Sequence, residues 1–202
     1  ERVVVFSSPM AQYVQGQGGL RRVVDLCDVD SEKWRAYAAK KNWPASLLYG
    51  YEASRLLRYE RQVAAGSDAA LFVSAPEAEL FRQLAPESAS RIGWFGNGVD
   101  TAYFAPEPGH ADPYAPGAQA LVFCGAMDYW PNVDAVQWFA RDVLPLVRAS
   151  VPRASFAIVG ARPTSEVQAL AQLPGVTVTG TVPDVRPYVA HAALSVAPLR
   201  IA

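Results

Sequence analysis

The chain has 202 residues, 51% of them hydrophobic and 18% charged, a core-forming composition that excludes a disordered or collagen-like protein. Its 18 Lys and Arg balance 19 Asp and Glu, with 12 of each sign in residues 1–104, so no electrostatic footprint for nucleic acid is present. Apolar runs such as Leu121–Cys124 fall far short of a membrane span of about 20 residues, and no cationic, apolar leader marks the chain for export.

In residues 1–104, the short apolar runs Val3–Phe6, Val23–Cys27, Ala69–Val73 and Ile92–Phe95 predict strands. Helices are predicted over 32–41 and 46–65. A third follows Ser74, because Ser74-Ala75-Pro76-Glu77 has the spacing of a reciprocal N-terminal capping box. Gly16-Gln17-Gly18-Gly19 is not a G-x-G-x-x-G fingerprint and joins no long strand to a helix, so it predicts a loop. Glu52 and Glu60 flank the stripe Leu48, Leu56, Tyr59, Val63 and are expected to serve an interface or ion pairs.

Residues 105–118 change character. The stretch from Ala105 to Gly117 holds four prolines and two glycines without an apolar period, which predicts an extended linker. Beyond it, strand and helix alternate. Leu121–Cys124, Ser155–Val159, Val176–Thr179 and Ala193–Ala197 predict four strands. The helices between them have candidate caps in Asn132, Thr164 and Asp184, with Asp134 in a first turn. This β-α-β-α-β-α-β order predicts a doubly wound parallel sheet over 119–202. The fold class expected is therefore α/β, in two Rossmann-like halves. The chain opens almost on a strand and stops just after one, so both halves are expected to be incomplete parts of something longer.

Several chemistries drop out. Cys27 and Cys124 each sit in an apolar run and are expected as buried strand thiols. His110 and His191 are isolated, which leaves neither a zinc site nor a Ser-His-Asp hydrolase. No lysine follows Lys41, so a P-loop NTPase is excluded. The five tryptophans (Trp34, Trp43, Trp94, Trp130, Trp138) are expected mainly in the core, with Trp130, in the loop after Gly125, as the exception to watch for a sugar platform.

What remains is the carboxyl ends of the strands, where open α/β sheets bind ligands. Gly125, Gly160 and Gly180 stand there in succession, either as tight turns or as openings for a phosphate beside helix N-termini. Arg162 and Arg200 follow strand ends too, either as solvated surface residues or as partners of a diphosphate. Asp25, Asp28, Asp30 and Glu32 crowd the end of the second strand, a pattern suited to acid–base work or, equally, to capping the next helix through Asp30 or Ser31.

Taken together, several strings resemble one family. Asn97-Gly98-Val99-Asp100 with Phe104 and Pro106 resembles the hinge motif of the retaining glycosyltransferases of family 4, the group 1 glycosyl transferases. Gly125-Ala126-Met127-Asp128-Tyr129-Trp130-Pro131-Asn132, Ile158-Val159-Gly160, Val178-Thr179-Gly180-Thr181-Val182 and Ala197-Pro198-Leu199-Arg200 resemble its donor-binding half in order and spacing. Asp28-Val29-Asp30-Ser31-Glu32-Lys33-Trp34 resembles the sugar transferases associated with exosortase and PEP-CTERM exopolysaccharide loci.

The resemblance implies a GT-B architecture. Residues 1–104 would be the later part of an acceptor domain, 105–118 a linker, and 119–202 the early part of a nucleotide-sugar donor domain. It implies a cytoplasmic enzyme, at most peripheral to the inner face of the membrane. The reaction would be hexosyl transfer from a nucleotide-sugar to a polysaccharide or lipid-linked acceptor in exopolysaccharide synthesis. The nucleotide-sugar is a substrate, so no cofactor and no metal are implied. Donor-binding positions are then Gly125, Asn132, Gly160, Arg162, Gly180, Val182 and Arg200, with Asp28 and Asp30 as catalytic candidates.

Two departures stand out. The loop after the first donor-domain strand lacks the family's usual Arg and Lys, and the Gly-rich loop with paired glutamates expected past Arg200 is not in the sequence. The alternative is thus a non-catalytic nucleotide-sugar-binding or interaction module, and as it stands the chain is expected to be inactive in transfer.

Overall fold

A computed structural model describes residues 1–105 and 109–200. Pro106 of the hinge string, the rest of 106–108 and the chain end at Ala202 lie outside the described residues. The chain divides into two compact units, Glu1–Val99 and Asp100–Ala202, and the division falls within the Asn97-Gly98-Val99-Asp100 string.

The first unit is a four-stranded parallel sheet of β1 (Arg2–Phe6), β2 (Arg21–Cys27), β3 (Ala69–Phe72) and β4 (Ile92–Trp94), in that order across the sheet. Consecutive parallel strands joined by right-handed crossovers always step the same way, so their connections stack on one face. The single core follows from this: Val5, Val24, Leu26, Phe72 and Ile92 point inward against Val63, Ala78 and Phe81 of the helices. The alternate β1 positions Val4 and Phe6 stay exposed, as the period of two requires.

Three helices connect these strands: α1 (Asp30–Lys40), α2 (Ala45–Ala65) and α3 (Ala75–Leu84). Two sequence expectations change here. The first helix starts at Asp30, not at residue 32; its cap position is Val29, and neither Asp30 nor Ser31 caps it with a side chain. Ser74 does cap α3, accepting the Glu77 N–H at 3.3 Å. The reciprocal half of the box is absent, because the Glu77 carboxylate instead accepts the Val29 N–H at 2.7 Å.

In the second unit, β5 (Gln119–Cys124), β6 (Ala154–Val159), β7 (Val176–Gly180) and β8 (Leu194–Ser195) are parallel, in the order β7-β6-β5-β8. The chain therefore steps outward from β5 and then reverses to its other side. That reversal places cover on both faces. Leu121, Phe123, Phe156 and Ile158 pack on the helical layer of α4 (Trp130–Trp138), α5 (Leu144–Ser150) and α6 (Ser165–Ala169). Val122, Ala157 and Val159 pack the other way, against Tyr114 and α7 (Arg186–His191).

A π turn over Phe139–Val143 separates α4 from α5. Pro145 explains it: the ring has no N–H to give and would strike the carbonyl four residues back, so the helix widens instead. The Pro-rich stretch expected as an extended linker is, from residue 109 on, fixed to α7. The Tyr114 hydroxyl donates to the Tyr188 carbonyl at 2.6 Å, and His191 Nε2 lies 2.8 Å from the His110 carbonyl oxygen.

Other expectations fail on burial. None of the five tryptophans is fully buried, and Trp43 and Trp94 are exposed. The core is instead made of Phe, Val, Leu, Ile and Ala. Cys124 is exposed and Cys27 is half-buried, so neither is an interior thiol.

Candidate functional site

The carboxyl ends of β5, β6 and β7 converge on an open cleft of about 400 Å³, lined by Gly125, Gly160, Arg162, Thr181, Val182 and Val185 among others. The loops that form it are tied to one another. Gly125 donates its N–H to Val159, Met127 to Ala161, and Gly160 to Gly180, at 3.0, 2.8 and 3.2 Å. Met127 is fully buried beneath the loop and anchors it.

The three glycines have different reasons for being there. A Cβ on Gly160 would overlap the Gly125 carbonyl, and one on Gly125 would meet the Asn132 amide at 2.8 Å. Both are explained by loop-on-loop packing. Gly180 is another case: its φ is +68° and a Cβ there would meet nothing within 4 Å. It holds a left-handed turn that opens onto free space.

Asn132, expected as a helix cap, lies inside the first turn of α4, which starts at Trp130. Its Nδ2 donates to the Ala126 carbonyl at 2.9 Å and so holds the loop after β5 in place. Arg162 adopts a φ of +51° and projects at the cleft, where it forms a two-pronged pair with Asp128 at 2.5 and 3.2 Å. This guanidinium holds the Asp128 carboxyl below the usual carboxylate range. Arg200 is not among the cleft residues. It pairs with Asp134 at 2.6 and 3.0 Å and stands 5.2 Å from the Trp138 ring centre. The structure thus brings Gly125, Gly160, Arg162 and Val182 together, with Gly180 and Asn132 bracing the loops and Arg200 elsewhere.

In the first unit, Asp28 and Asp30 stand on the turn between β2 and α1, with Lys33 Nζ 3.7 and 3.1 Å from their carboxylates. The acidic crowd is therefore built around a cation. Two further carboxylates, which the sequence reading did not place here, fasten this turn from behind. Glu77 takes the Val29 N–H, and Glu60 accepts from the Ser31 hydroxyl at 2.6 Å and the Ser31 N–H at 3.2 Å. Glu60 is 1% exposed, so it serves neither an interface nor an ion pair. Burial pushes its carboxyl up to about 7, against the two Ser31 hydrogen bonds that favour the charged form. The nearby Cys27 thiol is pushed up to about 11 by burial and Asp25, which leaves it a poor nucleophile.

Residues 118–202 match the family model described as "Glycosyl transferases group 1". Among curated proteins, no relative matches in sequence. Solved structures match over almost the whole chain at low identity. Sucrose-phosphate synthase from Thermosynechococcus elongatus aligns with a TM-score of 0.66 and 12% identity, over 96% of this chain and 49% of its own. Trehalose 6-phosphate synthase from Burkholderia multivorans gives 0.62 and 12%, over 100% and 52%. The catalytic domain of starch synthase IV from Arabidopsis thaliana, bound to ADP and acarbose, gives 0.55 and 10%, over 96% and 51%. The chain spans about half the length of the structures it matches. At these identities the likeness is one of fold. Each unit has the Rossmann-like form of a GT-B half.

Proposed function

We propose that the chain is part of a glycosyltransferase that moves a hexosyl group from a nucleotide-sugar to a saccharide or lipid-linked acceptor. The observation that carries this reading is the strand-end cleft of the second unit, which lies wholly within the family-matched residues 118–202. One of the fold relatives is described as a UDP-forming trehalose-phosphate synthase and another was solved with ADP, and a nucleoside diphosphate is the ligand this cleft suits. Arg162 would exchange Asp128 for the diphosphate, since its side chain is exposed and its planar fork matches either anion. The backbone of Gly180, Thr181 and Val182 would lie beside the base.

Retention at the anomeric carbon, the absence of cofactor and metal, a role in exopolysaccharide synthesis, and a cytoplasmic site with at most peripheral contact at the inner face of the membrane belong to the same proposal. Residues 1–104 would be the later part of the acceptor domain and 119–202 the early part of the donor domain. Asp30, with Asp28, would orient an acceptor hydroxyl or take its proton.

Isothermal calorimetry with UDP, ADP and GDP tests the reading. Binding of one of them is expected, with Arg162→Ala weakening it by about tenfold or more, on the scale of a charge-assisted pair. Thr181→Ala should stay within a few-fold and Gly180→Val should bind less. Equal affinity in all three variants, or no binding, would overturn it.

One observation favours a non-catalytic nucleotide-sugar-binding module instead: the loop from Ala126 to Trp130 supplies no cation, and its Asp128 occupies Arg162. Asp30→Asn in the longest active form separates the two. It removes no cap, so melting should hold, and turnover should fall by about 10²-fold if Asp30 is the base. Unchanged turnover would remove Asp30 from the mechanism.

A further inference from the structure

The second unit has a hollow that the proposed function leaves unused. It is a groove of about 470 Å³, with the π turn and α5 on one side and the connection into β7 on the other. Small-molecule sites occupy about 300–1,000 Å³. α5 ends just before β6, and Leu173-Pro174 stands just before β7, so the groove lies at the amino ends of the strands, opposite the cleft. On the helical side its lining positions 140–141, 144–145 and 148–149 recur every four residues and share one face.

The walls are apolar and stiff. Leu144 is buried in the core of the second unit, and Leu173 packs against the same core. The rings of Pro145 and Pro174 have little side-chain freedom to lose when a ligand settles on them, and Ala140 and Ala149 are too short to fill the space between. Two arginines complete the lining. Arg148 donates from Nη1 to the Ala154 carbonyl at 3.2 Å. Gly175 has a φ of +79°, and a Cβ there would overlap the Arg148 guanidinium, so this cation is seated over bare backbone. The carbonyl end of α5 favours a cation at Arg148. It does not account for Arg141, which stands in the π turn at the other end of the groove face. Among the described residues neither arginine forms an ion pair, and no carboxylate lines the groove. An apolar hollow with two guanidinium groups and no anion complements a ligand that has an apolar body and a negative head.

We propose that this groove binds a small amphipathic anion, a carboxylate on a short hydrocarbon body. The head would pair with Arg148, and the body would lie against Leu144, Pro145, Leu173 and Pro174. Seven residues of helix span about 10 Å, so the exposed Arg141 side chain can swing to the same head. The site is separate from the strand-end cleft and does not depend on the nucleotide reading.

Titration of the isotopically labelled chain with octanoate, 1-octanol and octylammonium, which share a hydrocarbon body and differ in the head, tests the proposal. Octanoate is expected to move the amides of Arg141, Leu144, Arg148 and Leu173 along one saturable curve. Octanol should bind about tenfold more weakly, and octylammonium more weakly still. Arg141→Gln alters an exposed side chain, so it should leave melting unchanged while lowering octanoate affinity by about tenfold. Ala149→Phe should fill the groove and abolish binding of all three. No saturable shift at these amides, shifts confined to the strand-end cleft or to the first unit, octanol binding as tightly as octanoate, or indifference to Arg141→Gln would each overturn the proposal. Calorimetry with nucleotides reports separately on the glycosyltransferase reading.

Discussion

A carboxylate shut away from water with a serine for company makes stability depend on pH. Glu60 titrates near 7 in the folded chain, against an ordinary value near 4.5. Between these two values the folded state holds a proton that the unfolded state has released, so stability is lost as pH rises through that window. The full loss is on the order of 3 kcal/mol. Glu60→Gln keeps an acceptor for the Ser31 hydroxyl and removes the charge. Thermal melts should therefore show the native chain losing stability from pH 5 to pH 8 more steeply than Glu60→Gln, and parallel curves would contradict the assignment. Gly160 makes the second test at this scale. Its missing side chain is what lets the Gly125 carbonyl pass, so Gly160→Ala should cost about 2–3 kcal/mol by overpacking. An unchanged melting temperature would show that the two loops are not packed as described.

At the scale of elements, capping and proline chemistry decide where helices begin and bend. Ser74→Ala removes the acceptor for the Glu77 N–H and should destabilise the chain by about 1 kcal/mol, measured by urea unfolding. A loss below a few tenths would mean that α3 is held by packing alone.

The eight strands among the described residues were legible because their apolar runs are short and bounded by Gly, Ser or Pro. The helix termini were less so. Asn132 looked like a cap because its residue type favours that position, but Trp130 and Pro131 start the helix earlier and leave the amide to hold Ala126. Glu77 matched a capping box by spacing, yet a buried N–H on Val29 competes for the same carboxylate and wins. Such tertiary competition leaves no trace in local spacing. Gly125, Gly160, Arg162 and Val182 were legible as a group because they follow successive strands. Arg200 follows a strand too, but Asp134, on a helix 66 residues earlier, claims it.

For the whole molecule, strand order explains why one unit offers a two-sided sheet and the other a single core face. In the second unit the order reverses at β5, which covers both faces of the sheet, and the cleft lies where the loops after β5, β6 and β7 meet. In the first unit the order never reverses, and the chain presents its acidic turn at the end of β2 instead. Among the described residues no helix is long and apolar enough to cross a membrane. Under the proposed function, the crevice at β5, β6 and β7 takes the nucleoside diphosphate of a sugar donor. Amide chemical shifts of the isotopically labelled chain, followed during titration with UDP, ADP and GDP in turn, test it most directly. One nucleotide is expected to move the amides of Gly125, Gly160, Arg162, Thr181 and Val182 along saturable curves while those of α1 and α2 stay still. Shifts confined to the first unit, or no saturable shift with any of the three, would contradict it.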